Sequence, residues 1–115
     1  MDVSQTSGKI TPKIRAIILV HFVGHSCDMD PLMDLAQKHK LLIIEDAAHA
    51  LEAKYKGRKI GSLGNPTAFS FYANKNITTG EGGMLTTNNE SLDEMIRVMR
   101  LHGLSRDAWK RFGKS

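Results

Sequence analysis

RAIILVHFVGHSCDMDPLMDLAQKHKLLIIED, residues 15 to 46, places two apolar runs on either side of a segment with helical periodicity. Arg15 to Val23 (RAIILVHFV) is continuous and rich in β-branched residues, the mark of a strand buried on both faces. Gly24 to Cys27 turns the chain, and Asp28 stands where it can cap a helix. Leu32, Leu35 and Ala36, with Met29 and Met33, fall at helical spacing. Pro31 sits in the first turn, where a missing N–H is tolerated. Leu41 to Ile44 reads as the second buried strand, ending on Glu45-Asp46. Strand, helix, strand, with strands apolar throughout, predicts an α/β sheet that is at least partly parallel.

Residues 1 to 13 are polar, with Gly8 and Pro12, and read as a loose lead-in. Downstream, Ala47 to Ala53 reads as a short helical piece and Tyr55 to Ile60 as a small hairpin centred on Gly57. A strand over 67 to 72, another over Gly83 to Thr87, and an amphipathic helix follow. That helix starts at Asn89 or at Ser91, the latter forming a capping box with Glu94. Leu92, Met95, Ile96 and Met99 make its stripe, and Gly103 its stop. Ligands of such sheets collect beyond the carboxyl ends of the strands. Here that rule picks out the end of IIED, the end of FSFY, and the loop carrying Lys75.

The chain has 115 residues, enough for one domain or a piece of one with a real core. Its 41% hydrophobic and 24% charged content is that of an ordinary globular protein, which excludes a disordered chain. No stretch approaches the ~20 apolar residues that span a bilayer, so no membrane partner is expected. The N-terminus lacks the apolar core of a secretory signal, and the single cysteine, Cys27, excludes an internal disulfide framework; both fit the cytosol. Lys54, Lys56, Arg58 and Lys59 cluster, as do Arg106, Lys110 and Arg111, but without interleaved aromatics, so nucleic acid is not the expected partner.

Four residues could carry chemistry. Asp46 closes an aliphatic strand, either to cap the helical piece after it or to pair with a buried cation. Glu45, one residue earlier, points to the opposite face. His49 lies three residues on and would share a face with Asp46 on a helical turn; alternatively it is a packed, hydrogen-bonded histidine. Ser70, between two phenylalanines, either faces solvent or donates to a phosphate. Lys75 stands between an aromatic strand and the glycines Gly80, Gly82 and Gly83, as a solvated cation or as an amine fixed at the mouth of the sheet. The glycine loop has neither Walker nor dinucleotide spacing. His21, His25 and Cys27, and Asp46 with His49, do not close a four-ligand metal pattern. A carboxylate, an imidazole, a hydroxyl and an amine on one rim do suit pyridoxal phosphate. That cofactor needs an amine to bind covalently, an anion for its ring nitrogen and donors for its phosphate.

EDAAHALEAKYKGRKIGSLG (45–64), FSFYANKNITTGEGGM (69–84) and RVMRLHG (97–103) together resemble the DegT/DnrJ/EryC1/StrS family of sugar aminotransferases. ITPKIRAIILVHFVGHSCDMDPL (10–32) is similar to that family's preceding strand and helix. The resemblance implies part of the large, mostly parallel-sheet domain of the type I (aspartate aminotransferase-like) fold, with pyridoxal 5'-phosphate as cofactor. It implies that Lys75 binds the cofactor as a Schiff base and shuttles a proton. Asp46 then pairs with the pyridine nitrogen, His49 contacts the ring or its hydroxyl, and Ser70 binds the phosphate. Asn76 is common in the motif and receives no role.

The same resemblance implies transfer of an amino group, usually from glutamate, to a keto group on a nucleotide-linked sugar, in a homodimer when full length. Members are about three times this size, so residues 1–115 are expected to be a central segment of the large domain, without the N-terminal part and the C-terminal small domain. Such a piece is expected to be inactive alone. Sugar dehydratases of the same family replace the lysine with histidine, and Lys75 argues against that reading. A non-catalytic regulatory or binding module is the alternative from another class. A plain nucleotide-binding module lacks its phosphate loop.

Overall fold

The computed structural model describes residues 1–104 of the chain. In chain order the elements are α1 (Val3–Ser7), β1 (Ala16–Val20), α2 (Met29–His39), β2 (Leu42–Asp46), β3 (Lys54–Tyr55), β4 (Arg58–Lys59), β5 (Thr67–Ser70), β6 (Gly83–Thr86) and α3 (Glu90–Met99), with a 3-10 turn at Phe22–Gly24. One sheet runs β1-β2-β5-β6 and a second pairs β3 with β4. β1, β2 and β5 are parallel and β6 is antiparallel at the edge. The architecture is therefore α/β with a mostly parallel sheet.

Helix α2 forms the crossover between β1 and β2, as the periodicity of residues 29–39 requires. Met29, Leu32, Leu35 and Ala36 are buried from it against Ile17, Leu19 and Ile43 of the strands. Each large side chain so buried contributes about 1.5–3 kcal/mol. Lys40 takes the left-handed conformation (φ 54°) at the helix end, and the Leu41 amide returns to Ala36 O at 2.8 Å, so the strand begins one residue later than expected. Asp28 is the N-cap residue, but its carboxylate accepts from the Tyr55 hydroxyl at 2.6 Å instead of capping. That hydroxyl in turn accepts the Asp30 amide at 3.2 Å, so a tyrosine from the hairpin serves the helix start. Donation to Asp28 raises the Tyr55 pKa above its ordinary value. Lys56 pairs with Asp30 beside it. The hairpin turn itself has Lys56 at φ 46° and Gly57 at φ 82°, both left-handed, the requirement of a two-residue turn that matches strand twist.

Several expectations need correction. The lead-in over 1–13 is not loose throughout, because Asp2 accepts the Ser4 and Gln5 amides and caps helix α1, and the strand expected over 67 to 72 ends at Ser70. Both strands were expected to be buried on two faces, but only one face is covered. Ile17 and Leu19 are 6% and 0% exposed, whereas Ile18 and Val20 are 63% and 46% exposed. α2 covers one side, and among the described residues no element covers the other. β1 also stops at Val20, because Val23 turns to φ 53° and breaks the extended run. Residues 47–53 form consecutive turns and not a helix: Asp46 Oδ1 accepts the Ala48 amide at 3.0 Å, a local bond that competes with helix formation.

α3 begins at Asn89, whose side chain accepts the Leu92 amide at 3.0 Å, so the Ser91 alternative lapses. It ends at Met99, ahead of Gly103, whose amide bonds back to Val98 O at 3.1 Å. Its apolar stripe is present but not buried. Among the described residues no helix is long and apolar enough to cross a membrane. The basic cluster at Arg106, Lys110 and Arg111 lies outside the described residues.

One-sided burial makes a sharp prediction for two neighbours on β1. Leu19→Ala should destabilise the chain to urea by about 2–5 kcal/mol, while Ile18→Ala should change it by about 0.5 kcal/mol or less. Equal losses at the two positions would mean that Ile18 is covered.

Candidate functional site

Register brings the strand ends into line. Val20 pairs with Asp46, and Asp46 with Ala68, so β1, β2 and β5 finish along one rim. The ladder runs one step further on each side, through His21 N to Asp46 O at 2.9 Å and Ala47 N to Ala68 O at 2.8 Å. Alternation then sorts the side chains. Glu45, Thr67 and Phe69 are buried on the α2 side, while Asp46, Ala68 and Ser70 face the uncovered side.

A cavity of about 330 Å³ opens at this rim, lined by Val23, Gly24, His49, Ser70, Lys75 and Asn76 among others. Three of the four candidate residues therefore meet in one space. Asp46 does not line it: the half-buried carboxylate sits at the end of β2 and holds the Ala48 amide, and Ala48 does line the cavity. His49 arrives on the turn and not on a helix, so no helical spacing relates it to Asp46. Its exposed ring lies 6.0 Å from that of Phe22, tilted by 56°.

Ser70 is the last residue of β5. Its Oγ accepts the Tyr72 amide at 3.3 Å, which uses a lone pair and not the hydroxyl proton. Lys75 is half-buried in the following loop, and among the described residues it joins no ion pair. The loop is stitched back to its strand by Thr79 N and Thr78 Oγ1, both donating to Phe71 O at 3.0 Å. Gly82 explains part of the glycine run: a Cβ there would come within 2.4 Å of Thr79 Oγ1. A side chain there would have to push the Thr79 hydroxyl off its bond to Glu81 O.

A larger groove, about 830 Å³, lies elsewhere, between the start of α3, Leu42, Ile44 and Leu85. No titratable residue lines it, so the hydroxyls of Thr87 and Ser91 there have no acid or base beside them in the lining. The sequence reading missed the segment after β1. Val23 and Gly24 line the same cavity, and the rule that ligands collect at carboxyl ends would have included them had β1 been ended at Val20. His21, Cys27 and Glu45 engage one another: Glu45 Oε2 accepts from His21 Nε2 at 2.9 Å, and the Cys27 amide donates to His21 Nδ1 at 3.1 Å.

A model of the DegT/DnrJ/EryC1/StrS aminotransferase family matches residues 1–115. The chain is similar to the Bacillus subtilis spore coat polysaccharide biosynthesis protein SpsC, 52% identical over 115 residues, covering 100% of this chain and 30% of that protein. It is similar to GDP-perosamine synthase of Caulobacter vibrioides, 50% identical over 104 residues, covering 90% of this chain and 28% of that one. The crystal structure of S. venezuelae DesV in complex with a ketimine intermediate superposes with a TM-score of 0.88 at 45% identity, over 92% of this chain and 29% of that chain. The chain thus spans between 28% and 30% of the length of the curated relatives it matches.

The bond from Asp46 to Ala48 separates shape from charge at this position. Asp46→Asn keeps an oxygen for the Ala48 amide and should leave stability within about 0.5 kcal/mol of the parent. Asp46→Ala loses the acceptor and should cost about 1 kcal/mol. Urea midpoints of the two variants check this; equal loss in both would mean that the carboxylate charge, not the hydrogen bond, holds the turn.

Proposed function

The chain belongs to the DegT/DnrJ/EryC1/StrS aminotransferase family, and from that premise we propose that it supplies the cofactor-binding part of an aminotransferase dependent on pyridoxal 5'-phosphate. Its acceptor is a keto group on a nucleotide-linked sugar, and its amino donor is glutamate. The observation that carries this reading is the meeting of Lys75, Ser70 and His49 in one cavity at the carboxyl rim, with Asp46 closing the adjacent strand. Names of relatives support the substrate class: a GDP-perosamine synthase and a polysaccharide biosynthesis protein.

The residues present fit the cofactor. The cavity volume, about 330 Å³, falls within the ~300–1,000 Å³ of small-molecule sites. Its lining offers one amine and a hydroxyl whose proton is not spent on the Tyr72 amide. When bound, pyridoxal phosphate supplies an aldehyde that captures amines and a protonated ring that takes up electrons. Ser70 donates to the phosphate. Asp46 holds the proton on the ring nitrogen, and the Ala48 amide keeps its carboxylate oriented. His49 lies against the ring or its hydroxyl. With the cofactor bound, the Lys75 amine would make the covalent attachment and would serve as the acid–base group for proton transfer at the substrate carbon.

The chain covers less than a third of its relatives. On this reading residues 1–115 are a central segment of the large domain, with an N-terminal part and a small domain supplied by the rest of the protein. The complete protein works as a homodimer, and the segment alone is inactive.

Borohydride reduction of the full-length, cofactor-loaded protein followed by peptide mapping should place the pyridoxyl label on Lys75. Lys75→Ala should remove the label and let the cofactor dialyse away. A label on Lys38, Lys54 or another lysine would sink the assignment. Asp46→Asn should cut turnover at least a hundredfold, by analogy with the ~10²–10⁴ contribution of a positioned proton; turnover near that of the parent would remove Asp46 from the site.

A further inference from the structure

His21 and Glu45 are both 0% exposed and lie on the α2 side of the sheet, opposite Asp46. Both Glu45 oxygens accept: Oε2 from His21 Nε2 at 2.9 Å and Oε1 from Asn65 Nδ2 at 2.8 Å. One carboxylate thus ties together the ends of β1 and β2 and the approach to β5, the three strands that form the rim. The other imidazole nitrogen, Nδ1, accepts the Cys27 amide at 3.1 Å, which fixes the ring proton on Nε2. Two more bonds close the same place: the Cys27 thiol to Val20 O at 3.2 Å, and the His21 amide to Asp46 O at 2.9 Å.

These contacts clamp the base of the segment 21–27. Inside it Val23 and Gly24 are both left-handed, at φ 53° and 77°. A β-branched residue disfavours that conformation, so it persists only where the surroundings impose it. Val23 and Gly24 also line the cavity beside His49 and Lys75. A fully buried polar pair adds little stability over apolar residues of the same size. What this one supplies is geometry.

We propose that His21, through the bond its Nδ1 accepts from the Cys27 amide, is a positioning residue that holds the Val23–Gly24 wall of the cavity against the cofactor. The proposal rests on the functional reading above and on that cavity being the cofactor site.

Two substitutions divide the two nitrogens in the full-length protein. His21→Gln retains a donor toward Glu45 and loses the acceptor for the Cys27 amide. His21→Asn retains that acceptor and loses the donor. His21→Gln should speed hydrogen exchange of the Cys27 amide, raise the dissociation constant for pyridoxal phosphate about tenfold, the equivalent of one lost hydrogen bond, and alter the visible circular dichroism of the bound cofactor. Its thermal midpoint should fall less than that of His21→Asn, since a neutral amide rather than a carboxylate loses its partner. His21→Asn should lower the midpoint, because Glu45 loses a partner, yet keep cofactor affinity and dichroism. Parent-like affinity and dichroism in His21→Gln, or parallel changes in both variants that merely follow the midpoint, would overturn the proposal. Failure of the parent protein to bind pyridoxal phosphate would sink the functional reading instead, and the assignment to a cofactor wall with it, while Cys27 exchange would still report whether the clamp exists.

Discussion

Parallel pairing sets Val20 and Asp46, the ends of β1 and β2, beside Ala68, two residues before β5 ends, and the candidate site hangs from that line. Parallel strands need a crossover, so all their carboxyl ends emerge together while the connections run elsewhere. The loops after β1, β2 and β5 must therefore leave the sheet at one place. Convergence of Val23, His49 and Lys75 on a single cavity is a consequence of topology before it is one of chemistry. Antiparallel β6 adds no fourth loop to this rim; it runs back beside β5, and Gly82 and Gly83 let it approach.

The second constraint is alternation. Glu45 and Asp46 are adjacent carboxylates with opposite fates. Glu45 turns toward α2 and is held by His21 and Asn65, while Asp46 turns to the uncovered face and is held by one backbone amide. A slip of one residue in β2 would exchange them and put Asp46 among the core side chains. Buried hydrogen bonds from Glu45 to neighbouring segments oppose that slip, because either partner left unsatisfied would be costly.

Much of this was legible in the residues. The strand–helix–strand reading of 15–46 rested on runs and periodicities that depend on nearest neighbours, and it held, as did the hairpin at Gly57 and the opposite faces of Glu45 and Asp46. Burial on both faces was not legible. An apolar strand reports that it will be covered, not whether the covering element lies within the same stretch. Ala47 to Ala53 misled for another reason: alanine favours helix, but Asp46 and Ala48 make a local bond that outweighs propensity. The candidate site was legible through the carboxyl-end rule, which brings its loops to one rim, although the strand expected over 67 to 72 ends at Ser70. It was not legible where a contact spans segments: His21 meets Glu45 across 24 positions, and only the register of β1 with β2 brings them together.

The uncovered face bears on what this part of the protein can do. Ile18, Val20 and Leu42 are 63%, 46% and 69% exposed, and they lie on the same face as Asp46 and Ser70. Electrostatic work at a catalytic site depends on excluding water, since the same charges interact several-fold more strongly in a low dielectric. His49 is exposed and Lys75 only half-buried, so among the described residues the cavity is open to solvent. The relatives are more than three times as long as the matched segment. On the proposed reading the labour is divided. These residues set the spacing of amine, carboxylate and hydroxyl. Whatever covers the apolar face supplies the dry surroundings in which that spacing becomes chemistry.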